Sequence, residues 1–402
     1  MKRELKVLLQ LILKKCAIRL LRKFHPEIIA ITGSVGKTST KDAVYEVLKS
    51  KFDVRKNEGN LNNEIGVPLT IIGAKNVRNF LTIFKNTFFG YEYPQILILE
   101  LGADKMGDIK YLTSFIKPKI AIVTRVACSH LEQFCDLENV AKEKGRLIES
   151  LNQDGWAVLN YDDERVRDMT NRINKTNGTN KTNKNIIFYG LEKNADVIAS
   201  NIKMDLEGLS FEVSYKKEKV NISLKIIGRH QVYSILAGIA CGLIYGMDLN
   251  EIKNNLKNYQ LPKNRTNILK GKKGSIIIND VYNANPESMR AAIDTLIDLA
   301  KKNNRKVVVL GDMLELGSNS KELHLDIGKY LIHKADVVVL AGKIMKNVFE
   351  DLKKEFAGNI YWFKDSIEAS LNISNIIGED DIILVKGSRG MKMERVVESI
   401  KL

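Results

Sequence analysis

The sequence predicts an α/β protein, with a mostly parallel central sheet domain followed by a second α/β domain at the C-terminus. Two observations predict it. Short β-branched runs alternate with helical stretches from residue 27 onward, and the alternation starts afresh after a Pro-containing segment near Leu261 to Thr266. The 402 residues are 44% hydrophobic and 28% charged, a globular composition with room for two or three domains. That excludes disordered, collagen-like and small disulfide-scaffold classes. No apolar run approaches the roughly 18 residues that a membrane span needs.

Taken in order, residues 1–26 read as one basic amphipathic helix ending before Pro26. The apolar stretch Val7 to Leu13 is broken by Gln10 and stopped by Lys14 and Lys15, and no small-residue cleavage site follows, so it is not a signal peptide. Its Leu and Ile residues, among eight Lys and Arg, suit either packing on the following domain or contact with anionic lipid. Buried strands are expected at Ile28 to Thr32, Ile96 to Leu99, Ile120 to Thr124 and Ala157 to Leu159. The Asn- and Thr-rich segment 171–186 reads as an exposed loop, and its N-x-T triplets would be glycan acceptors only in a secreted protein. Val197 to Ile227 alternates like antiparallel strands and leads to a helix near His230 to Tyr245. The second series has strands at Ser275 to Asn279, Lys306 to Leu310, Val337 to Leu340 and Asp381 to Val385. The expected division is 1–26, 27–264 and 265–402, the last a normal domain size.

A net charge of +15 favours anionic partners, whether nucleotides, nucleic acid, acidic metabolites or a membrane surface. Cys16, Cys128, Cys135 and Cys241 form no CxxC pair, which suits a reducing compartment, and all four read as packing residues. The strongest local signal is a strand running into GSVGKTST, Gly33 to Thr40, followed by a helix with apolar Ala43, Val44, Val47 and Leu48. This is a P-loop-type arrangement. Gly33, Ser34, Gly36 and Ser39 belong to a loop whose N–H groups can converge on phosphate, Lys37 can reach the β- and γ-phosphates, and Thr38 can ligate Mg²⁺; a chance GKT that is only a turn is the other reading, and the strand-to-helix context speaks against it. Ile31 stands where the full motif has its first Gly, so the loop is a shortened variant. Glu100 closes the strand ILILE and would emerge at its carboxyl end, where it can hold Mg²⁺ or cap the next helix. His130, after the strand IAIVT, reads more readily as structural than as catalytic in isolation.

Several segments together resemble the Mur ligases, the ATP-dependent amide-forming enzymes of peptidoglycan precursor assembly. They are ITGSVGKTSTK, GNLNNEIGVPLT, LELGADKMGDI, HLEQF with VAKEKGRLI, GRHQVYSILAG, NDVYNANPESMRAAID, LGDMLELG and VKGSRGMKMERVV, in the family's order from residue 27 to the end. The resemblance is strongest to the branch that adds D-alanyl-D-alanine to a UDP-N-acetylmuramoyl peptide. It implies a central ATP-binding domain and a Rossmann-like C-terminal ligase domain. It also implies that ATP phosphorylates a substrate carboxylate and that an incoming amine attacks the acyl phosphate, in the cytoplasm. In this family Lys37, His130 and Lys144 would be catalytic, and Thr38, Glu100, His130 and a carbamylated Lys144 would hold Mg²⁺. Carbamylation needs a neutral amine, hence a desolvated lysine or one near other cations; Lys142 reads as a solvated helix charge. Asn62 and Asn63 are assigned to the cleft, Arg265 to phosphate, Asp280 to ribose, and Tyr282 and Asn283 to the adenine. Lys386, Ser388 and Arg389 are assigned to the amine substrate.

The sequence departs from the family at Gln231 and Ser234, where Asn is usual, and at Arg125 and Cys128, which replace small and Asn residues. The Gly usual before Arg265 is missing. Only 26 residues precede the first strand, where members normally carry a separate UDP-sugar domain. The sugar nucleotide is then held differently, or the acceptor is another carboxylate such as a cofactor precursor or a pseudomurein peptide. A nucleotide-binding interaction protein, docked by the basic helix, is the reading of a different class. No aromatic-basic RNA motif occurs, so nucleic acid is not an expected partner. Peripheral contact with a membrane or a protein through the helix is.

Overall fold

The computed structural model describes residues 3–90, 92–171, 185–301 and 304–402. The first sheet contains β1 Glu27–Thr32, β2 Val54–Lys56, β3 Ile96–Glu100, β4 Ile120–Val123, β5 Trp156–Asn160, β6 Asn185–Gly190, β7 Val197–Asp205, β8 Gly208–Tyr215 and β9 Glu218–Leu224. Its order is β2-β3-β1-β4-β5-β6-β7-β8-β9, parallel as far as β7 and antiparallel through β8 and β9. The central strands ILILE and IAIV are buried along their whole length, because helices cover both faces. In β9 buried and exposed residues alternate, since only one face of the antiparallel end is covered.

One face packs the helices Lys37–Leu48 and Gln231–Ile244 over Ile29, Ile31, Ile98 and Ile122; the other packs Gly66–Ile72, Asp108–Thr113 and Leu137–Glu149 over Ala30, Leu97, Leu99 and Val123. Gly238 makes the first packing close, because a Cβ there would meet the Ala43 backbone at 3.1 Å. The N-terminal helix Arg3–Phe24 joins the second face through Leu13, Ala17 and Leu20. Much of its remaining apolar surface is exposed.

The second sheet contains β10 Asn267–Lys270, β11 Ile276–Asp280, β12 Lys306–Gly311, β13 Val337–Ala341, β14 Asn359–Phe363 and β15 Ile382–Lys386, in the order β10-β11-β15-β12-β13-β14. Only β10 is antiparallel. Helices Pro286–Leu299, Ser320–Leu331 and Met345–Leu352 cover one face, and Ser366–Ile376 and Glu394–Ile400 the other.

The structure is therefore α/β with two sheets, but several elements differ from the sequence reading. β2, β6, β10 and β14 and the helix Phe80–Phe89 are additions to the strands and helices that the sequence predicts. Of the expected loop 171–186, residues 172–184 with their N-x-T triplets lie outside the described residues, and Asn185 and Ile186 open β6 instead. Cys135 is exposed rather than packed; it lies at φ 70° in the turn between two helices, where its side chain has no core to enter. Cys16 and Cys128 are half-buried and Cys241 is buried.

Candidate active site

In the first sheet β1 pairs with β3 on one side and β4 on the other, so the chain leaves β1 at a switch point where a crevice opens. Gly33 turns there at φ 144°, and a Cβ on it would meet Thr124 Oγ1 at 2.0 Å; Gly36, at φ 82°, delivers the chain into the helix Lys37–Leu48. The loop is anchored by its own backbone: Ser34 N donates to Arg125 O at 2.7 Å and Thr124 Oγ1 to Val35 O at 2.6 Å. No side chain caps the helix, so its first N–H groups face the cleft as an anion site. Lys37 folds back to donate to Gly33 O at 2.7 Å. Burial lowers its ammonium below the usual lysine range, against the pull of Glu100.

Glu100 ends β3 beside this loop and collects two of the predicted residues, Thr38 and Asn62, together with Lys41, which the sequence did not single out. Thr38 Oγ1 donates to Glu100 Oε2 at 3.0 Å, Asn62 Nδ2 to Oε1 at 3.0 Å, and Lys41 Nζ lies 3.7 Å from Oε2. Burial opposes the Glu100 charge, but Lys37 and Lys41, with the Asn62 hydrogen bond, hold its carboxyl below the ordinary carboxylate range. Asn57 fixes the backbone beneath, donating to Glu100 O at 2.9 Å and accepting from Glu100 N at 2.8 Å.

Lys144 is buried on the helix Leu137–Glu149 and donates to Ala103 O at 3.2 Å. Burial first, and then nearby Lys37, push its ammonium down to about 7, which brings the neutral amine within reach near neutral pH. Lys142, two residues away, is exposed. His130, at φ 53°, is 2.6 Å through Nδ1 from Glu315 Oε2 and 3.5 Å through Nε2 from Asp104. The expected metal set of Thr38, Glu100, His130 and Lys144 thus divides: Thr38 and Glu100 touch, whereas Glu315 and Asp104 engage His130. Among the described residues no three His, Cys, Asp or Glu side chains cluster as a preformed metal cage.

The second sheet closes the cleft from the opposite side. Arg265 Nη2 donates to Thr38 Oγ1 at 3.1 Å, and its guanidinium lies 4.0 Å over the ring of Tyr282, whose hydroxyl reaches Asn60. Asp280, at the end of β11, accepts from Lys386 Nζ at 2.6 Å, and Lys386 also donates to Asn283 O at 2.9 Å. Lys386 therefore groups with the pair Asp280 and Asn283, rather than with a separate amine-binding cluster. A cleft of about 310 Å³ lies between the sheets, and Gly33, Ser34, Gly36, Lys37, Thr38 and Ser39 line one wall.

Three predicted residues stand apart from that lining. Asn63 is exposed, its Oδ1 accepting from Ile65 and Gly66 N–H at 3.2 and 2.9 Å where a helix begins. Ser388 is buried and accepts from Leu314 N at 2.8 Å. Arg389 is exposed near Glu394. In each case a local backbone or charge partner takes the side chain. The sequence reading also missed residues that line the cleft. Arg125 forms an ion pair across the cleft with Glu287, and Tyr233 donates to Asp162 at 2.8 Å. His230 contacts Gln231 at 2.9 Å, but its buried Nδ1 has no hydrogen-bond partner among the described residues, and burial pushes the ring down to about 4, leaving it neutral. Its sequence signal is its place in the segment GRHQVYSILAG, next to Gln231.

The Mur ligase middle domain matches residues 31–242, and the Mur ligase glutamate ligase domain matches residues 264–389. The chain belongs to the Mur ligase family. A UDP-N-acetylmuramoyl-tripeptide–D-alanyl-D-alanine ligase of Bacillus subtilis is 30% identical over 96% of this chain and 79% of its own length. The crystal structure of MurF from Acinetobacter baumannii superposes with a TM-score of 0.83 at 26% identity, covering 97% of this chain and 80% of that one. MurF from Thermotoga maritima, solved in complex with ADP, gives 0.80 at 26% identity, covering 97% and 83%. Within this Mur ligase, Gly33, Glu100 and Arg265 all meet at one cleft between the two sheets.

Proposed function

We propose that the protein is an ATP-dependent ligase that joins D-alanyl-D-alanine to a UDP-N-acetylmuramoyl tripeptide through an acyl phosphate. The observation that carries this reading is the contact chain Arg265–Thr38–Glu100–Asn62, which brings a phosphate loop, a strand-end carboxylate and a cation from the second sheet into one cleft. The relatives' names supply the substrates.

In this reading residues 27–264 bind ATP, residues 265–402 complete the site and residues 1–26 form a basic helix. The open helix end at Gly36 to Ser39 and the Lys37 ammonium hold the β- and γ-phosphates. His230, with its unpartnered nitrogen, Tyr282 and Asn283 suit the nucleoside, and Asp280 suits the ribose. Thr38 and Glu100 are the pair that would hold Mg²⁺, whose chemistry is to neutralise charge as the phosphoryl group moves. The substrate carboxylate takes the γ-phosphoryl group while ADP leaves; the neutral amine nitrogen then attacks the acyl carbon to form the C–N bond, and the resulting tetrahedral intermediate loses a proton from nitrogen and expels phosphate by breaking its C–O bond. Arg265 stabilises negative charge on the transferring group.

Lys144 is the carbamate site. Its neutral Nζ attacks CO₂, the N–C bond forms and a proton leaves, converting a buried amine into a carboxylate within the field of Lys37. Lys386 positions Asp280 and Asn283. The test is phosphate release from ATP and Mg²⁺ with UDP-muramyl tripeptide and D-Ala-D-Ala. Stimulation requiring both is expected; stimulation by a different carboxylate alone would move the enzyme to another acceptor.

A further inference from the structure

The helix Phe80–Phe89 spends little of its apolar surface on the fold. Ile83 and Thr87 face inward, whereas Phe80, Leu81, Phe84, Phe88 and Phe89 are 68, 86, 57, 46 and 57% exposed. Beside it, the N-terminal helix turns Leu5, Leu8, Leu11 and Ile12 outward at 48–56% exposure, although Leu13, Ala17 and Leu20 already satisfy its packing. The two helices adjoin: the Arg19 guanidinium lies 5.0 Å over the Phe88 ring, and Lys23 Nζ donates to Gly90 O at 2.8 Å. So many large exposed apolar side chains on two adjoining helices mark an interaction face rather than scattered exposure.

Charge identifies what covers it. Residues 4–24 and 73–90 carry nine Lys and Arg and a single carboxylate, Glu4. Lys15, Arg19, Arg22 and Lys85 are exposed around the apolar residues. A second copy of the chain would set these cations against one another across a self-complementary interface. An anionic bilayer instead meets both features, since phosphates face the cations and the headgroup boundary takes the phenylalanines and leucines. We propose that these two helices form one membrane-docking face that seats the enzyme on anionic lipid. This inference does not depend on the ligase substrates.

Co-sedimentation of the full chain with phosphatidylcholine vesicles, with or without phosphatidylglycerol, tests it. Binding is expected to be at least about tenfold stronger to the anionic vesicles and to weaken as salt is raised. The double variant Leu81→Asp, Phe84→Asp changes only exposed side chains, so its thermal melt should match wild type while binding falls about tenfold or more. Arg19→Gln with Arg22→Gln should reduce binding several-fold, with ATP turnover in solution unchanged throughout. Wild-type protein that ignores anionic vesicles overturns the proposal. So does a wild-type dimer that the Leu81→Asp, Phe84→Asp pair converts to monomers, which would make the face an interface between copies.

Discussion

The two sheets use the same strand–loop–helix device and finish it in opposite ways. After β1 the helix Lys37–Leu48 starts from Gly36 with no side-chain cap, and its first N–H groups look into the cleft. After β11 the helix Pro286–Leu299 starts from Asn285, whose side chain accepts from Ser288 N while Ser288 Oγ accepts from Asn285 N, a closed capping box. One helix end is left for a ligand and the other is satisfied by its own chain. The first sheet therefore offers the phosphate site, and the second contributes side chains, chiefly Arg265 and the Asp280–Lys386 pair.

Four changes test that contrast, the largest effect first. Lys37→Ala removes the ammonium at the open end and should lower turnover by about a thousandfold or more; near-normal phosphate release would end the phosphate-loop assignment. Lys144→Ala should cost about a hundredfold, and bicarbonate should not restore it. In the wild type, activity that depends on Lys144 should rise with pH through about 7, as its ammonium becomes a neutral amine. The stability sign agrees: the unfolded lysine keeps its proton up to about 10.5, so between 7 and 10.5 the unfolded state binds more protons and stability rises with pH. Thermal melts across that window should show a shallower slope in Lys144→Met than in wild type, the remainder coming from groups such as Lys37, whose ammonium is also lowered by burial.

Closing the open end is a subtler change. Gly36→Asp puts a carboxylate where phosphate is expected and should raise the KM for ATP about tenfold or more. An unchanged KM would mean that the open end is not used. Asn285→Ala, by contrast, opens the closed end and should cost about 1 kcal/mol of stability. Its KM for ATP should hardly move, and a large rise would show that the capped helix also meets the nucleotide.

Lys37, Thr38 and Glu100 could be picked out from the sequence because a local rule covers each: a glycine loop leading into a helix, or a carboxylate closing an apolar strand. Asn63 illustrates the limit, since only the folded chain shows its side chain turned to Ile65 and Gly66 N–H rather than to the cleft. Glu315 against His130, and Arg125 against Glu287, are contacts between distant segments that no local pattern encodes. Both sheets could be read because buried parallel strands leave continuous runs of Ile, Val and Leu. Short β2 and the partly exposed β14 leave no such run. The helix Phe80–Phe89 follows Asn79, which makes no side-chain cap, and its apolar residues spread too widely for a clean inward stripe.

The Glu315–His130 contact has a consequence for metal titrations. Any ion that takes His130 Nδ1 must first displace a carboxylate belonging to the other sheet. Occupancy at that nitrogen is therefore linked to how often the two halves part. Its apparent affinity is the intrinsic one multiplied by the fraction of molecules in which the imidazole is released. Glu315→Gln, by weakening the restraint, should shift a Mg²⁺ titration of activity to lower concentration without altering the ligands themselves.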